Sequence, residues 1–451
     1  MKRLSLQIIA ILILMIVLLT GCADSNSANK PTDNPENDKE NSSQGSDYAI
    51  VTDDDIKRID FLQNLHDATV YNISSFGAQP GSDCTTALQQ AIDTVQSNGG
   101  GIIFFPAGIY YINQTITFNK QASAEITLLG ESSGDYRTKI SVKSTPGSSG
   151  IIVASDNVNF AHIEFLSKME NGAAMCITGD KTTMYSCVFR NYVYGYTDSL
   201  LQVCGTNAIL SNVSFTVANQ EGHSVNFTKL PGIESRNNKL IDSHIGGEFD
   251  GIIIDSQDPE GCPENILLYR LTFLNYVGGQ LEIHAVKGCT VTNSMLDQGY
   301  DYCIKICPDG VGVNDLTIKE NYISAAYRFS DKSFTNYGIL ITDGDTRAPI
   351  ENISIKNNMI YYNKYAIYSD NNRISKLHIS GNSVGDSTYS IKMKCLKDST
   401  ITANYFSSEF MIDTFSGENI INSNIIYILS SECNFNKYEK NNIVKAKGDQ
   451  K

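Results

Sequence analysis

Five side chains between Gly251 and Cys307 have the types and spacing to carry acid–base chemistry: Asp255, Glu282, His284, Asp301 and Lys305. Four of them sit on three short segments, Gly251-Ile-Ile-Ile-Asp255, Gln280-Leu-Glu-Ile-His284 and Cys303-Ile-Lys-Ile-Cys307. Each segment alternates apolar and other residues, as a strand with one buried face does. If the three lie side by side, Asp255 aligns with His284 and Glu282 with Lys305. A carboxylate beside an imidazole orients it and raises its basicity. Removal of a proton next to a substrate carboxylate needs a base, here Lys305, His284 or an Arg, and something to neutralise the substrate's charge. Hydrolysis of a sugar linkage needs an acid and a second carboxylate. Asp255, His284, Asp301 and Lys305 are therefore the catalytic candidates. Glu282, Arg270, Tyr276, Tyr300 and Tyr302, on or beside the same strands, are the candidates for holding substrate. The competing interpretation is a row of salt bridges on a solvated face.

The strands that would position these groups recur. Ile252 to Leu281 is 29 residues and Leu281 to Ile304 is 23. A recurrence of that size marks turns of a solenoid. Similar windows begin at Met175, Leu201, Val225, Ile339, Ile367, Ile391 and Phe410. A second series, including Leu316-Thr-Ile, Ile353-Ser-Ile, Leu377-His-Ile and Ile401-Thr-Ala, places Asn321, Asn358, Asn382, Asn404 and Asn424 in one column. Such a column reads as a structural ladder, because Asn tolerates left-handed backbone geometry and its amide can bond to the next copy. Ten or eleven turns at about 4.8 Å each predict a rod about 50 Å long. The expected fold class is all-β, a right-handed parallel β-helix with an N-terminal capping α-helix.

The cap is read from Tyr71 to Ile112. Ala87, Leu88, Ala91, Ile92 and Val95 recur at helical spacing. Asp83, Thr85 or Thr86 can start that helix, and Asn98-Gly-Gly-Gly101 ends it. Phe76-Gly77-Ala78, Gly99-Gly100-Gly101 and Phe105-Pro-Ala-Gly-Ile-Tyr110 complete a pattern that resembles the N-terminal signature of the pectate-lyase-like superfamily of right-handed parallel β-helices. The resemblance implies the fold; the superfamily holds lyases, hydrolases, epimerases and phage depolymerases. The polygalacturonase motifs within it are only partly matched. Tyr302 stands where an Asp-Asp-Cys-Ile strand would carry its second Asp, and Gly222-His223-Ser224 lacks the final Gly of Gly-His-Gly.

The chain has 451 residues and a formal charge of −14, which argues against nucleic acid as a partner. Met1-Lys2-Arg3, the apolar run from Leu4 and Leu19-Thr20-Gly21-Cys22 form a secretory signal. It resembles a bacterial lipoprotein signal, which implies cleavage before Cys22, a lipid on its sulfur and a place on the extracytoplasmic face of the cell membrane. The expected divisions are a signal over 1–22, an acidic tether over 23–60, a cap over 61–125, the β-helix over 126–435 and a polar tail over 436–451. The Asp53-Asp54-Asp55 run is expected to be a solvated part of the tether. The remaining cysteines are expected as free, mostly buried thiols. Asp255, Asp301 and Glu282 are candidate calcium ligands, with no other cofactor indicated. The function expected is a polysaccharide lyase or glycoside hydrolase acting on an acidic or cell-envelope glycan, the alternatives being a glycan-binding scaffold or a C5-epimerase.

Overall fold

The computed structural model describes residues 51–120, 124–132, 137–143, 147–169, 171–191, 198–217, 222–247, 251–275, 278–325, 336–344, 348–429 and 442–444. Cys22, the signal, the first part of the tether and the tail beyond 444 lie outside them.

Residues 70 onward wind into a parallel β-helix with a 14-stranded and a 25-stranded sheet. One turn runs from Glu264–Tyr269 in the smaller sheet through Thr272–Asn275 and Leu281–Ile283 in the larger. The larger sheet thus takes two strands per turn, folded about a corner. The expected register holds throughout: Met175, Leu201, Val225, Ile252, Leu281, Ile304, Ile339, Ile367, Ile391 and Phe410 are successive partners. All are buried, so one column of the core is made by one position per turn.

A second core column supplies what the sequence reading lacked, the other strand of the larger sheet. Phe165, Phe189, Phe215, Ile245, Phe273 and Leu296 pair in turn. The rings of Phe165, Phe189 and Phe215 stack at centroid distances of 4.8 and 5.3 Å. The Asn ladder lies at the turn entering this strand. Asn321, Asn358, Asn382 and Asn404 are buried, and the backbone N–H of each donates to the side-chain oxygen of the next. The left-handed residue is the one before each of them: Glu320, Asn357, Gly381 and Ala403 have φ between 56° and 66° where the Asn does not. The ladder therefore exists for its amide bonds, not for the backbone geometry of Asn.

The cap helix, Thr85–Ser97, buries Leu88, Ala91, Ile92 and Val95 against the first turn. Asp83 accepts from the backbone N–H and hydroxyl of Thr85 at 2.9 and 2.6 Å, fixing its start. Gln89 donates to the carbonyl of Thr117 and accepts from its N–H, so the cap satisfies the edge strand Ile116–Phe118.

A further helix, Asp53–Ile59, followed by a 3-10 segment over Asp60–Asp67, corrects the tether. Thr52 and Asp55 form a capping box, and Asp55 is buried in an ion pair with Lys239 at 2.5 Å. The Asp run is thus part of the folded body, and the tether boundary expected at 60 falls inside it.

Candidate functional site

Leu281, Ile283, Ile304 and Ile306 point into the core, so Glu282 and Lys305 face outward, and the register sets them opposite one another. Glu282 becomes the hub of a cluster. Its Oε1 accepts from Lys305 Nζ at 2.5 Å and pairs with His284 Nε2 at 3.2 Å. Its Oε2 accepts from the Tyr302 hydroxyl at 3.1 Å. Glu282 is only 9% exposed. Burial alone would raise its pKa, but the hydrogen bonds from His284 and Lys305 and their charges reverse that and hold it at about 2. Glu282 is therefore a fixed anion. Lys305 also stands over the Tyr302 ring, 5.4 Å from its centroid. His284 Nε2 is turned to the carboxylate, so in the neutral form of the ring the N–H sits on that nitrogen and Nδ1 is the acceptor.

The expected Asp255–His284 pair does not form. The register does set Asp255 opposite Thr228 and one strand from His284, but the imidazole turns to Glu282. Asp255 Oδ2 instead accepts from the Asn226 amide at 3.3 Å, and its buried Oδ1 has no hydrogen-bond partner among the described residues. Asp301 is exposed at the corner before the Tyr302 strand, and no described hydrogen bond or ion pair joins its side chain to the cluster. Tyr300, beside it, is half-buried. Cys303 faces the core rather than the surface shared by Lys305. Arg270 belongs elsewhere: it follows a strand of the smaller sheet, where Asp242 holds it at 2.6 Å. Tyr276 lies outside the described residues.

Calcium does not suit the expected trio. Both oxygens of Glu282 already face donors, and Asp301 is not drawn to it. Among the described residues no group of three or more His, Cys, Asp or Glu side chains could hold a metal ion.

The sequence reading missed a tyrosine ladder that continues the face. Tyr302, Tyr337, Tyr365 and Tyr389 are register partners on successive turns. Tyr337, Tyr365 and Tyr389 stack at 5.2 and 5.0 Å with planes 14° apart, and Tyr368 leans across two of them. Lys392 lies over Tyr365 and Tyr389. The signal was present as Tyr-small-Ile: Tyr302-Cys-Ile, Tyr337-Gly-Ile, Tyr365-Ala-Ile and Tyr389-Ser-Ile. The outward surface thus runs from Asn226 through the Glu282 cluster to a row of phenol edges and ammonium groups.

The sequence model for the family described as rhamnogalacturonase A/epimerase, pectate lyase-like, matches residues 70–311, more than half of the chain. No curated protein matches it. Among solved structures, the tailspike protein of E. coli bacteriophage HK620 in complex with a pentasaccharide aligns at 15% identity and TM-score 0.53, covering 87% of this chain and 80% of the tailspike chain. A mutant of that tailspike with a hexasaccharide gives 15% identity and TM-score 0.55, over 87% and 79%. The A-module of a mannuronan C-5 epimerase from Azotobacter vinelandii aligns at 14% identity and TM-score 0.47, over 78% of this chain and 99% of the module. At these identities the likeness is one of fold.

Proposed function

The chain belongs to the rhamnogalacturonase A/epimerase, pectate lyase-like family, and from that premise we propose that it is a polysaccharide lyase acting on an acidic glycan laid along the outer face of the larger sheet. The observation that carries this reading is the Glu282 cluster. One buried carboxylate orients an imidazole and an ammonium side by side. His284 Nδ1 takes the proton beside the substrate carboxylate, and Lys305 offsets the charge that develops there. The electron pair forms the new carbon–carbon double bond as the glycosidic carbon–oxygen bond breaks, and the departing oxygen takes a proton from water. Glu282, held ionised, is a positioning residue. Its low pKa counts against its serving as the acid of a hydrolase. The tyrosine ladder and Lys392 extend the surface into further subsites. That the phage tailspike is seen with oligosaccharides, on a similar fold, agrees with a glycan partner. Lipid attachment at Cys22 and an extracytoplasmic position belong to the same proposal, since an enzyme on long external polymers must meet them outside.

The test is incubation with a panel of polyuronates. Ultraviolet absorbance from the unsaturated product is expected, with activity falling about 10²–10⁴-fold in His284→Ala and Lys305→Ala. New reducing ends without that absorbance would make the protein a hydrolase, and binding with neither would make it a glycan-binding scaffold. Unchanged rates in both variants would remove the assignment of the site. Cys22→Ser should abolish incorporation of labelled palmitate and release the protein from membranes; labelling that persists would overturn the anchor.

A further inference from the structure

Arg270 was singled out by the sequence and left unused by the Glu282 cluster, and it marks a second feature. The Asp53–Ile59 helix lies over the outer face of the smaller sheet, and beside it opens a cleft of about 730 Å³. Ile56 and Ile59 form one wall, and Ile241 and Leu267 lie at its base. Tyr185 and Tyr269 line it as well. They occupy the same outward position three turns apart, linked through Ser211 and Ile241, which sets them about 14 Å apart. Asp242 holds the Arg270 guanidinium at 2.6 Å, and the guanidinium lies 4.6 Å from the centre of the Tyr269 ring. Thr290, also lining the cleft, is 4% exposed, and its hydroxyl has no hydrogen-bond partner among the described residues.

We infer that this cleft is a second carbohydrate-binding site, distinct from the Glu282 face, that takes a short neutral oligosaccharide. Its volume is that of a small-molecule site. The combination of two tyrosines, Asn212, Asn293 and unpaired hydroxyl capacity fits sugar rings, which offer apolar C–H faces and many hydroxyls. Neutral ligands are favoured because the charges lining the cleft cancel, Arg270 and Lys319 against Asp242 and Asp60, leaving no net cation to draw a polyuronate. A buried hydroxyl without a partner costs stability when empty and gains a hydrogen bond when a ligand hydroxyl arrives. The site does not rest on the lyase reading. It would tether the protein to a neutral glycan while the opposite surface works on another.

The chain has no Trp, so Tyr185→Trp installs a single fluorescent reporter at one end of the cleft. The probes are cellohexaose, xylohexaose, mannohexaose and chitohexaose, titrated into the full chain. A saturable emission change with at least one of them is expected. It should weaken about tenfold or more when Thr290→Val or Arg270→Ala is added, and remain unchanged with Glu282→Gln. Loss of the lyase activity would leave this result intact, and the reverse holds too. No emission change with any probe, accompanied by a native circular dichroism spectrum, would overturn the site. So would a change insensitive to both cleft variants. A cleft occupied by the chain's own segment before Val51 would show as no sugar response together with a blue-shifted reporter, and would equally overturn the inference.

Discussion

At the residue scale, Glu282 decides what the site can do. Its folded pKa of about 2 lies below the ordinary glutamate value of 4.5, so the group contributes stability above the unfolded pKa and loses it as pH falls through the folded one. The contribution is on the order of 3 kcal/mol at neutral pH. Comparing wild type with Glu282→Gln by urea unfolding, the difference should shrink as pH is lowered from about 5 towards 2. A constant difference across that range would show that Glu282 is not held by His284 and Lys305. The same residues show what a sequence yields. Alternation around Leu281 and Ile304 sufficed to place Glu282 opposite Lys305. It did not suffice for Asp255 and His284, because register fixes Cα neighbours while side chains choose among several partners within reach. His284 found Glu282 on its own strand, and Asp255 found Asn226 on the strand before.

At the element scale, the Asn ladder shows how turns are locked together. Asn382 donates to the carbonyl of Ile355 at 2.8 Å and to Asn404 at 2.9 Å, while accepting from the backbone and side chain of Asn358 at 2.9 and 3.0 Å. Asn382→Ala strips partners from buried groups on three turns, and the loss should be about 3–5 kcal/mol in urea unfolding. A loss below about 1 kcal/mol would mean that water replaces the ladder. The ladder was legible because its spacing repeats with the strands. The strand it introduces was not, since Phe189-Arg-Asn and Phe273-Leu-Asn are too short to stand out from turns. The Asp53–Ile59 helix was hidden for another reason. Three aspartates in a row carry the composition of a solvated tether, and only the long-range partner Lys239 explains why Asp55 is buried.

At the scale of the molecule, net charge and the open end of the β-helix set the last constraints. A formal charge of −14 repels a polyuronate at long range even though Lys305 and Lys392 attract it locally. Raising the ionic strength from about 0.01 to 0.15 M shortens the screening length from about 30 to 8 Å. The long-range repulsion should fade first, so KM on a polyuronate is expected to fall over that range; a rise would show that the local cations dominate. The first turn of the β-helix poses a different problem, because a parallel strand at an end offers unpaired backbone groups to any other strand. Here Gln89 engages both the N–H and the C=O of Thr117, and Gln96 donates to the carbonyl of Asn119. The cap helix thus acts as a false next strand as well as an apolar lid. Replacing Gln89 and Gln96 together by Leu keeps the helix and its apolar face but frees those backbone groups. The double variant should lose about 2–4 kcal/mol and associate as its concentration rises, seen by light scattering, while the wild type stays unchanged. If the variant sediments like the wild type at every concentration, the apolar lid alone protects the end, and the glutamine pairing is only a local contribution to stability.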